Sequence, residues 1–318
     1  MEEQELQKKI PLVVIVGPTA SGKSKLAVEF AHWLQTEIVS ADSMQIYRGM
    51  QIGTAKPTVE EMEGIEHHLI DFVELNEPFS VADYVAHAKT CVERIAQKGK
   101  IPILAGGTGL YINSFLENLQ FSDEEKDAVL CEQLAEKARE QGVQALVEEL
   151  RSFDPQSAQR IDSHNVGRII RAIEIYRTTG MTMTEHMEQS RRIPSPYSAC
   201  IIGLDYTDRA VLYDRINRRV DQMLRMGLVE EAKQVLSEQG GKTALQAIGY
   251  KELLPYFQGS FTLEEAVEHM KRETRRYAKR QLTWFRRNSN IHWLKVDEME
   301  SHEQLVEKAK SIVTQFEF

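Results

Sequence analysis

The sequence predicts an α/β fold, a parallel sheet flanked by helices, with an all-helical insertion. Three observations carry this. Leu12-Val13-Val14-Ile15-Val16 is a continuous β-branched run that reads as a buried strand, followed by a Gly-rich turn and by Leu26, Ala27, Phe30, Ala31 and Leu34 at helical spacing. Further strand-like runs, Glu37–Asp42, Lys100–Ala105 and Ser198–Leu204, alternate with helical patterns. Between about Ser122 and Gln189 the composition turns charged and helical, with no period-2 stretch. The expected organisation is a core of residues 1–121 and 193–318 with an insertion at 122–192.

The turn after the first strand is Gly17-Pro18-Thr19-Ala20-Ser21-Gly22-Lys23-Ser24. It fits G-x-x-x-x-G-K-[ST], the phosphate-binding loop, and its strand–turn–helix context is right. Glycines let the backbone wrap so that N–H groups face a phosphate chain, and the helix N-terminus adds positive partial charge. Lys23 supplies a point charge, and the Ser24 hydroxyl can bind Mg²⁺. The loop alone leaves two ligands open, a nucleotide triphosphate such as ATP or another diphosphate.

The second strand ends in Asp42, followed by Ser43, Met44 and Gln45. Ligands of open α/β sheets lie outside the carboxyl ends of strands, which sets Asp42 beside the phosphate loop. It reads as a turn or N-cap residue, or as a general base or metal-linked carboxylate. Ile52–Pro57 is a loop carrying another cation, Lys56. His67–Asp71 reads as a short strand; adjacent histidines there point to opposite faces and cannot share one ion, so they are structural or substrate-contacting. Ser80–Ile95 reads as a helix capped by Ser80. Lys100–Ala105 ends in Gly106-Gly107-Thr108-Gly109, not in the acid that NTP-hydrolysing P-loop proteins use to hold Mg²⁺. Glycines there permit close approach of a ligand.

In the insertion, Leu130, Leu134, Ala138 and Leu146, Val147, Leu150 mark two helices separated by Gly142. Asp154-Pro155 opens a third. Asn165–Thr178 sets Val166, Ile169, Ile170, Ile173 and Tyr176 on one face and Arg168, Arg171 and Arg177 elsewhere, with Gly180 as the stop. After the Ser198–Leu204 strand, Asp208 caps a long helix ending near Gly227. Arg215 and Arg219, at i and i+4, read as a solvated face or as a diphosphate clamp. A Gly-Gly turn at 240–241 precedes Gln246–Lys251. The 271–287 segment should be helical, with Arg272, Arg275, Arg276, Lys279 and Arg280 in one stripe. Such a stripe in a chain of net charge -9 points to phosphate-backbone binding. Tyr277, Trp284 and Phe285 read as core, or as a platform for a base. Ile291–Val296 is a final strand, and a helix runs to Phe318.

Hydrophobic content of 42% and charged content of 27% are those of a soluble domain, and no apolar run approaches a membrane span. Met1–Glu5 lacks signal-peptide features. Cys91, Cys131 and Cys200 lie far apart, which suits a reducing compartment and argues against zinc. A cytoplasmic monomer with no membrane partner is expected.

GPTASGKS (17–24), ADSMQIYRGMQIGTAKP (41–57), HHLID (67–71), GGTGLY (106–111), the Arg168–Glu174 region, RINRRVDQML (215–224), QAIGYKE (246–252) and KRQLTWFR (279–286) together resemble the tRNA dimethylallyltransferase family. The motifs stand in family order over nearly the whole chain, in the bacterial type without a C-terminal zinc finger. Gly167 departs from the polar residue expected there. The resemblance implies a P-loop NTPase-like fold and transfer of a dimethylallyl group from dimethylallyl diphosphate to N6 of adenosine 37 in the tRNA anticodon stem-loop. It implies that the loop, Gly17 to Ser24, binds the donor diphosphate with Mg²⁺ on Ser24. Asp42, Thr19, Lys23, Arg215 and Arg219 would be catalytic. Asp42, Ser43, Met44, Gln45, Thr108, Arg168, Arg171, Gln246, Gly249, Lys251, Lys279, Arg280, Gln281, Trp284 and Arg286 would contact the tRNA. Two other classes fit the loop or the stripe alone: a small-molecule or nucleotide kinase with Asp42 as base, and a non-enzymatic RNA-binding module.

Overall fold

The computed structural model describes residues 9–121, 127–237 and 246–318. The chain start at Met1–Glu5, the boundary at Ser122 and the Gly240–Gly241 turn lie outside the described residues. Two compact units form, one from 1–116 with 196–318, the other Glu117–Ser195.

Among the described residues the larger unit carries six parallel strands: β1 Ile10–Val16, β2 Ile38–Ser40, β3 His67–His68, β4 Ile103–Gly106, β5 Tyr197–Asp205 and β6 Ile291–Lys295. Their order is β3-β2-β4-β1-β5-β6. The first strand is therefore central, with Val14 registered on Leu104 of β4 and on Ile201 of β5. Both faces of β1 are covered, so its apolar residues run without alternation, and Leu12 through Val16 are fully buried. Val13 and Ile15 join the P-loop helix (Leu26, Phe30) and the C-terminal helix (Leu305, Ala309, Val313) in one core. That last helix, His302–Gln315, stops short of Phe318. The expected strand at His67–Asp71 is only two residues long, because Leu69 and Asp71 take positive φ of 61° and 58°.

A second core in the same unit fixes the segments around the strand ends. Ile46, Tyr47 and Met50 pack with Val220, Leu228, Ala232, Tyr250, Leu253 and Met270. These come from the helices Arg209–Arg225, Leu228–Ser237 and Leu263–Phe285 and the turns between them. The caps are those read from sequence. Ser80 and Asp83 form a capping box for Val81–Gln97, and the Asp208 side chain accepts from the Ala210 N–H.

The smaller unit is helical throughout its described residues. Its five helices are Ala128–Gln141, Val143–Phe153, Pro155–Arg160, Val166–Thr179 and Met183–Ser190. Its edges fall outside 122–192 because residues 117–120 are tied to 190–194. Asn118 donates to the Pro194 carbonyl, the Gln120 N–H to the Ser190 carbonyl, and Arg191 pairs with Glu117. Its core sets Leu134, Leu146 and Leu150 against Ile169 and Ile173. No helix among the described residues is long and apolar enough to cross a membrane.

Candidate active site

The ends of β1, β2 and β4 converge on a cavity of about 320 Å³. Its lining joins the phosphate loop (Thr19, Ala20, Lys23, Ser24), the β2 end (Asp42, Ser43, Met44, Gln45), the 53–55 loop, Gly106, and Arg219, Met223, Gln246, Gly249, Lys251, Tyr277, Arg280 and Gln281. A wider cavity of about 1090 Å³ shares Ala20, Lys23, Ser24 and Arg219 with it and adds Ser21, Gly22, Arg215, Arg218 and Arg225. The phosphate loop thus stands between two openings.

The loop has the conformation its sequence requires. Gly22 takes φ 95° as N-cap of Lys23–Leu34, which a side chain disfavours. The Lys23 ammonium folds back to the Pro18 carbonyl at 3.3 Å. Burial, then the Arg219 charge, lowers its pKa to about 8, while Asp42 opposes the shift. The two arginines of the i, i+4 pair separate. Arg215 donates from Nε to the Ala20 carbonyl at 3.0 Å and stays exposed, whereas half-buried Arg219 lines the cavity and donates to Thr19 Oγ1 at 3.4 Å. Burial also pulls the Arg219 pKa down, its neighbour Arg215 adding to the effect.

Asp42 fills the turn role read from sequence and lines the cavity. Its Oδ1 accepts the Met44 N–H at 2.9 Å and the Gln45 N–H at 3.3 Å, an Asx turn. Its Oδ2 takes no hydrogen bond among the described residues. Thr108 braces the same turn: its N–H donates to the Ala41 carbonyl, and its Oγ1 accepts the Ser43 N–H at 3.0 Å. The phenol of Tyr277 lies in the same wall, its pKa raised by burial and then by the Asp42 charge.

Several residues expected to touch RNA are engaged by the protein itself. Gln281 is buried; its Oε1 accepts the Thr19 N–H at 2.9 Å and its Nε2 donates to the Gly107 carbonyl at 2.9 Å. Gln45 Nε2 donates to the Thr54 and Ala55 carbonyls. Arg286 binds both oxygens of buried Asp205, which also takes Lys295 at 2.6 Å. Arg171 pairs with buried Glu174. Trp284 is 36% exposed and lies against Gly109, where a Cβ would meet its ring at 2.2 Å; Phe285 is core. Lys279 and Arg280 are exposed, Arg280 5.8 Å from the Tyr277 ring centre. Arg275 donates to Asn217, and Arg276 pairs with Glu273. In the helical unit, Arg168 is exposed and Gly167 faces open space.

The glycines that end β4 are packed by the protein itself, and Gly106 also lines the cavity. A Cβ on Gly106 would meet the Ala41 carbonyl at 2.2 Å, and one on Gly107 would meet Gln281 at 2.3 Å. They admit the protein's own strand and side chain. The acid missing from β4 stands at the end of β5, as Asp205, but two cations neutralise it. Burial opposes its charge, yet Lys295 and Arg286 hold its pKa below the usual range.

His68 bonds Glu37 at 2.9 Å and His67 bonds the Ile65 carbonyl, so both are structural. Glu37, Glu66 and His68 come together at the start of β2, the far end from Asp42, where Lys98 and Lys100 pair with Glu37. Lys56 is buried and donates to the Tyr47 carbonyl and to Asp71. Cys91, Cys131 and Cys200 form no disulfide among the described residues.

The family model described as IPP transferase matches residues 45–288. A tRNA dimethylallyltransferase of Acetivibrio thermocellus is 49% identical over 307 residues, 96% of this chain and 98% of its own length. One from Oceanobacillus iheyensis is 47% identical over 291 residues, covering 91% and 92%. The crystal structure of the full-length tRNA isopentenylpyrophosphate transferase of Bacillus halodurans superimposes with TM-score 0.71 at 44% identity, covering 96% of this chain and 98% of that one. A eukaryotic dimethylallyltransferase acting on tRNA gives TM-score 0.81 at 27% identity, covering 97% and 81%.

Proposed function

The chain belongs to the IPP transferase family, and on that premise we propose that it transfers a dimethylallyl group from dimethylallyl diphosphate to N6 of adenosine 37 in tRNA. The observation that carries the reading is one shared cavity: Asp42, whose Oδ2 takes no hydrogen bond among the described residues, lines the same space as Lys23 of the loop and Arg219 of the Arg209–Arg225 helix.

The chemistry follows from that juxtaposition. An exocyclic amine has its lone pair delocalised into the base and is a weak nucleophile. Asp42 Oδ2 accepts its proton as N6 bonds to the allylic C1. The C1–O bond breaks, and the electron pair leaves with the diphosphate. General-base help of this kind is worth about 10²–10⁴-fold. Charge grows on the leaving oxygens, so donors held there in advance contribute most. These are the loop N–H groups, Lys23 and Arg219, with Thr19 Oγ1 holding the guanidinium in place and Arg215 fastening the loop through Ala20. Met223, Val220, Ile216 and Met270 give the cavity an apolar side suited to the isoprenoid tail.

Ser24 Oγ and the donor's own oxygens form the hard-oxygen set that Mg²⁺ takes, and Ser24 is exposed and lines the cavity beside Lys23. The ion would neutralise diphosphate charge. Asp205, held by Arg286 and Lys295, is not a candidate ligand.

A base stacked in an anticodon loop must be extruded to reach Asp42, at a cost of a few kcal/mol. Arg280 and Lys251 supply cations in the cavity wall, Lys279 is an exposed cation beside Arg280, and partly exposed Trp284 carries Arg287 6.0 Å from its ring centre, a cation–aromatic pair on which a base can stack. Arg168 on the helical unit, exposed and without an ion pair among the described residues, is a further cation for an RNA backbone. The protein is proposed to act as a cytoplasmic monomer. Mass spectrometry of nucleosides from treated tRNA tests the reading. One adenosine heavier by a single isopentenyl unit is the expected product. An unmodified digest from a folded, tRNA-bound protein would shift the assignment to a kinase, with ATP turnover as the next assay.

A further inference from the structure

Glu231 lies outside the cavity, on the helix Leu228–Ser237, and no motif in the sequence marked it. Its carboxylate gathers three consecutive backbone donors. Gln51 N–H reaches Oε2 at 3.0 Å, Ile52 N–H reaches Oε2 at 2.8 Å, and Gly53 N–H reaches Oε1 at 2.9 Å. The Tyr250 hydroxyl donates to Oε1 at 2.7 Å. Consecutive N–H groups aimed at one point form an anion-binding nest, and here the anion is a side chain. Charge-assisted bonds of this kind are about twice as strong as neutral ones.

The contacts join two cavity walls. Gly53, Thr54 and Ala55 form one, and Gln246 to Gly249 with Lys251 the other. Tyr250 is buried against Gly53, where a Cβ would meet its ring at 2.6 Å, so the ring, the glycine and the carboxylate fit as one block. From this block a continuous path leads to the base. The Thr54 and Ala55 carbonyls accept from Gln45 Nε2, at 3.1 and 3.0 Å, and the Gln45 N–H donates to Asp42 Oδ1.

We propose that Glu231 is a positioning residue for the transfer: through the 51–55 loop and Gln45 it fixes Asp42 toward the acceptor amine. The role rests on the transferase reading above. It contacts no substrate, and its path does not include the phosphate loop. Loss should therefore appear in kcat more than in the KM for dimethylallyl diphosphate.

The test compares wild type with Glu231→Ala and Tyr250→Phe in the full-length protein. It measures kcat and KM, thermal unfolding, and hydrogen exchange at the amides of residues 51–53. Misplacement of a reacting group by about 1 Å costs on the order of 100-fold. Glu231→Ala should lose about tenfold to 100-fold in kcat, with the diphosphate KM changing less than about threefold. Amide exchange at 51–53 should quicken while the β1 amides stay protected. Tyr250→Phe, which removes one donor of four, should show the same pattern more weakly. A kcat within about twofold of wild type in folded Glu231→Ala would overturn the role. So would losses in both variants that track unfolding and vanish on cooling. A wild type without transferase activity condemns the functional reading instead, and the exchange result at 51–53 still judges the nest.

Discussion

Arg219 and Lys23 turn two cations into one cavity, and after burial the Arg219 charge is what holds the Lys23 pKa near 8. A diphosphate satisfies both. Because it favours charged lysine, binding raises the lysine pKa. Lysine in the free site loses its proton above about pH 8, so binding there takes up a proton and weakens as pH rises. Calorimetry in buffers of different ionisation enthalpy near pH 8.5 should show uptake of roughly half a proton or more. Lys23→Met should lose both the uptake and most of the affinity. Wild-type affinity that is flat between about pH 7 and pH 9.5 would contradict this assignment.

Asp42→Ala removes the proposed base and the Asx turn together, whereas Asp42→Asn keeps an acceptor at Oδ1. Both should cut turnover by about 10²–10⁴-fold, with tRNA affinity little changed. Gel-shift titration beside single-turnover kinetics separates the two quantities. A large affinity loss with turnover intact would remove Asp42 from the chemistry.

The exposed cations and the engaged ones should part company in salt. Lys279→Ala with Arg280→Ala should weaken tRNA binding and reduce the slope of log K against log salt by about 1.5–2. Arg286→Ala strips a partner from buried Asp205 and should lower stability while leaving that slope alone. Filter binding from low to high salt, with denaturant melts, reads both. Equal slope changes in the two variants would mean that Arg286 leaves Asp205 for the RNA.

Gln281 ties the phosphate loop to the end of β4 through Thr19 and Gly107. Gln281→Ala leaves the buried Gly107 carbonyl and the partly buried Thr19 N–H without their partner and should cost about 1–3 kcal/mol. Donor binding should weaken with it. Urea melts and donor KM check this; unchanged values in both would show that the strap is dispensable.

What the sequence made legible was local. The β1 run, the phosphate loop and the caps at Ser80, Asp154, Asn165 and Asp208 each declare themselves within a few residues, because a cap bonds its own helix and a strand shows its own period. Asp42 was placed correctly because a strand end in an α/β sheet is a defined position. The partnerships were not legible. Gln281 meets Thr19 across 262 residues and Glu231 meets Ile52 across 179, and no local pattern marks either. The i, i+4 arginines read as a solvated face or a clamp, and only packing of the Arg209–Arg225 helix turns Arg219 inward and leaves Arg215 on the loop backbone. The close packing of Ala41 and Gln281 on Gly106 and Gly107 was not legible, because a glycine shows that something approaches, never what.

The most direct test is one enzyme turnover with labelled dimethylallyl diphosphate, unmodified tRNA and Mg²⁺, without ATP, followed by counting label in the RNA. Label on a single adenosine with wild type, and none with Asp42→Ala bound to the same tRNA, is the predicted result. RNA that stays unlabelled although bound by folded wild-type protein, or transfer that proceeds unchanged without Asp42, would contradict the account.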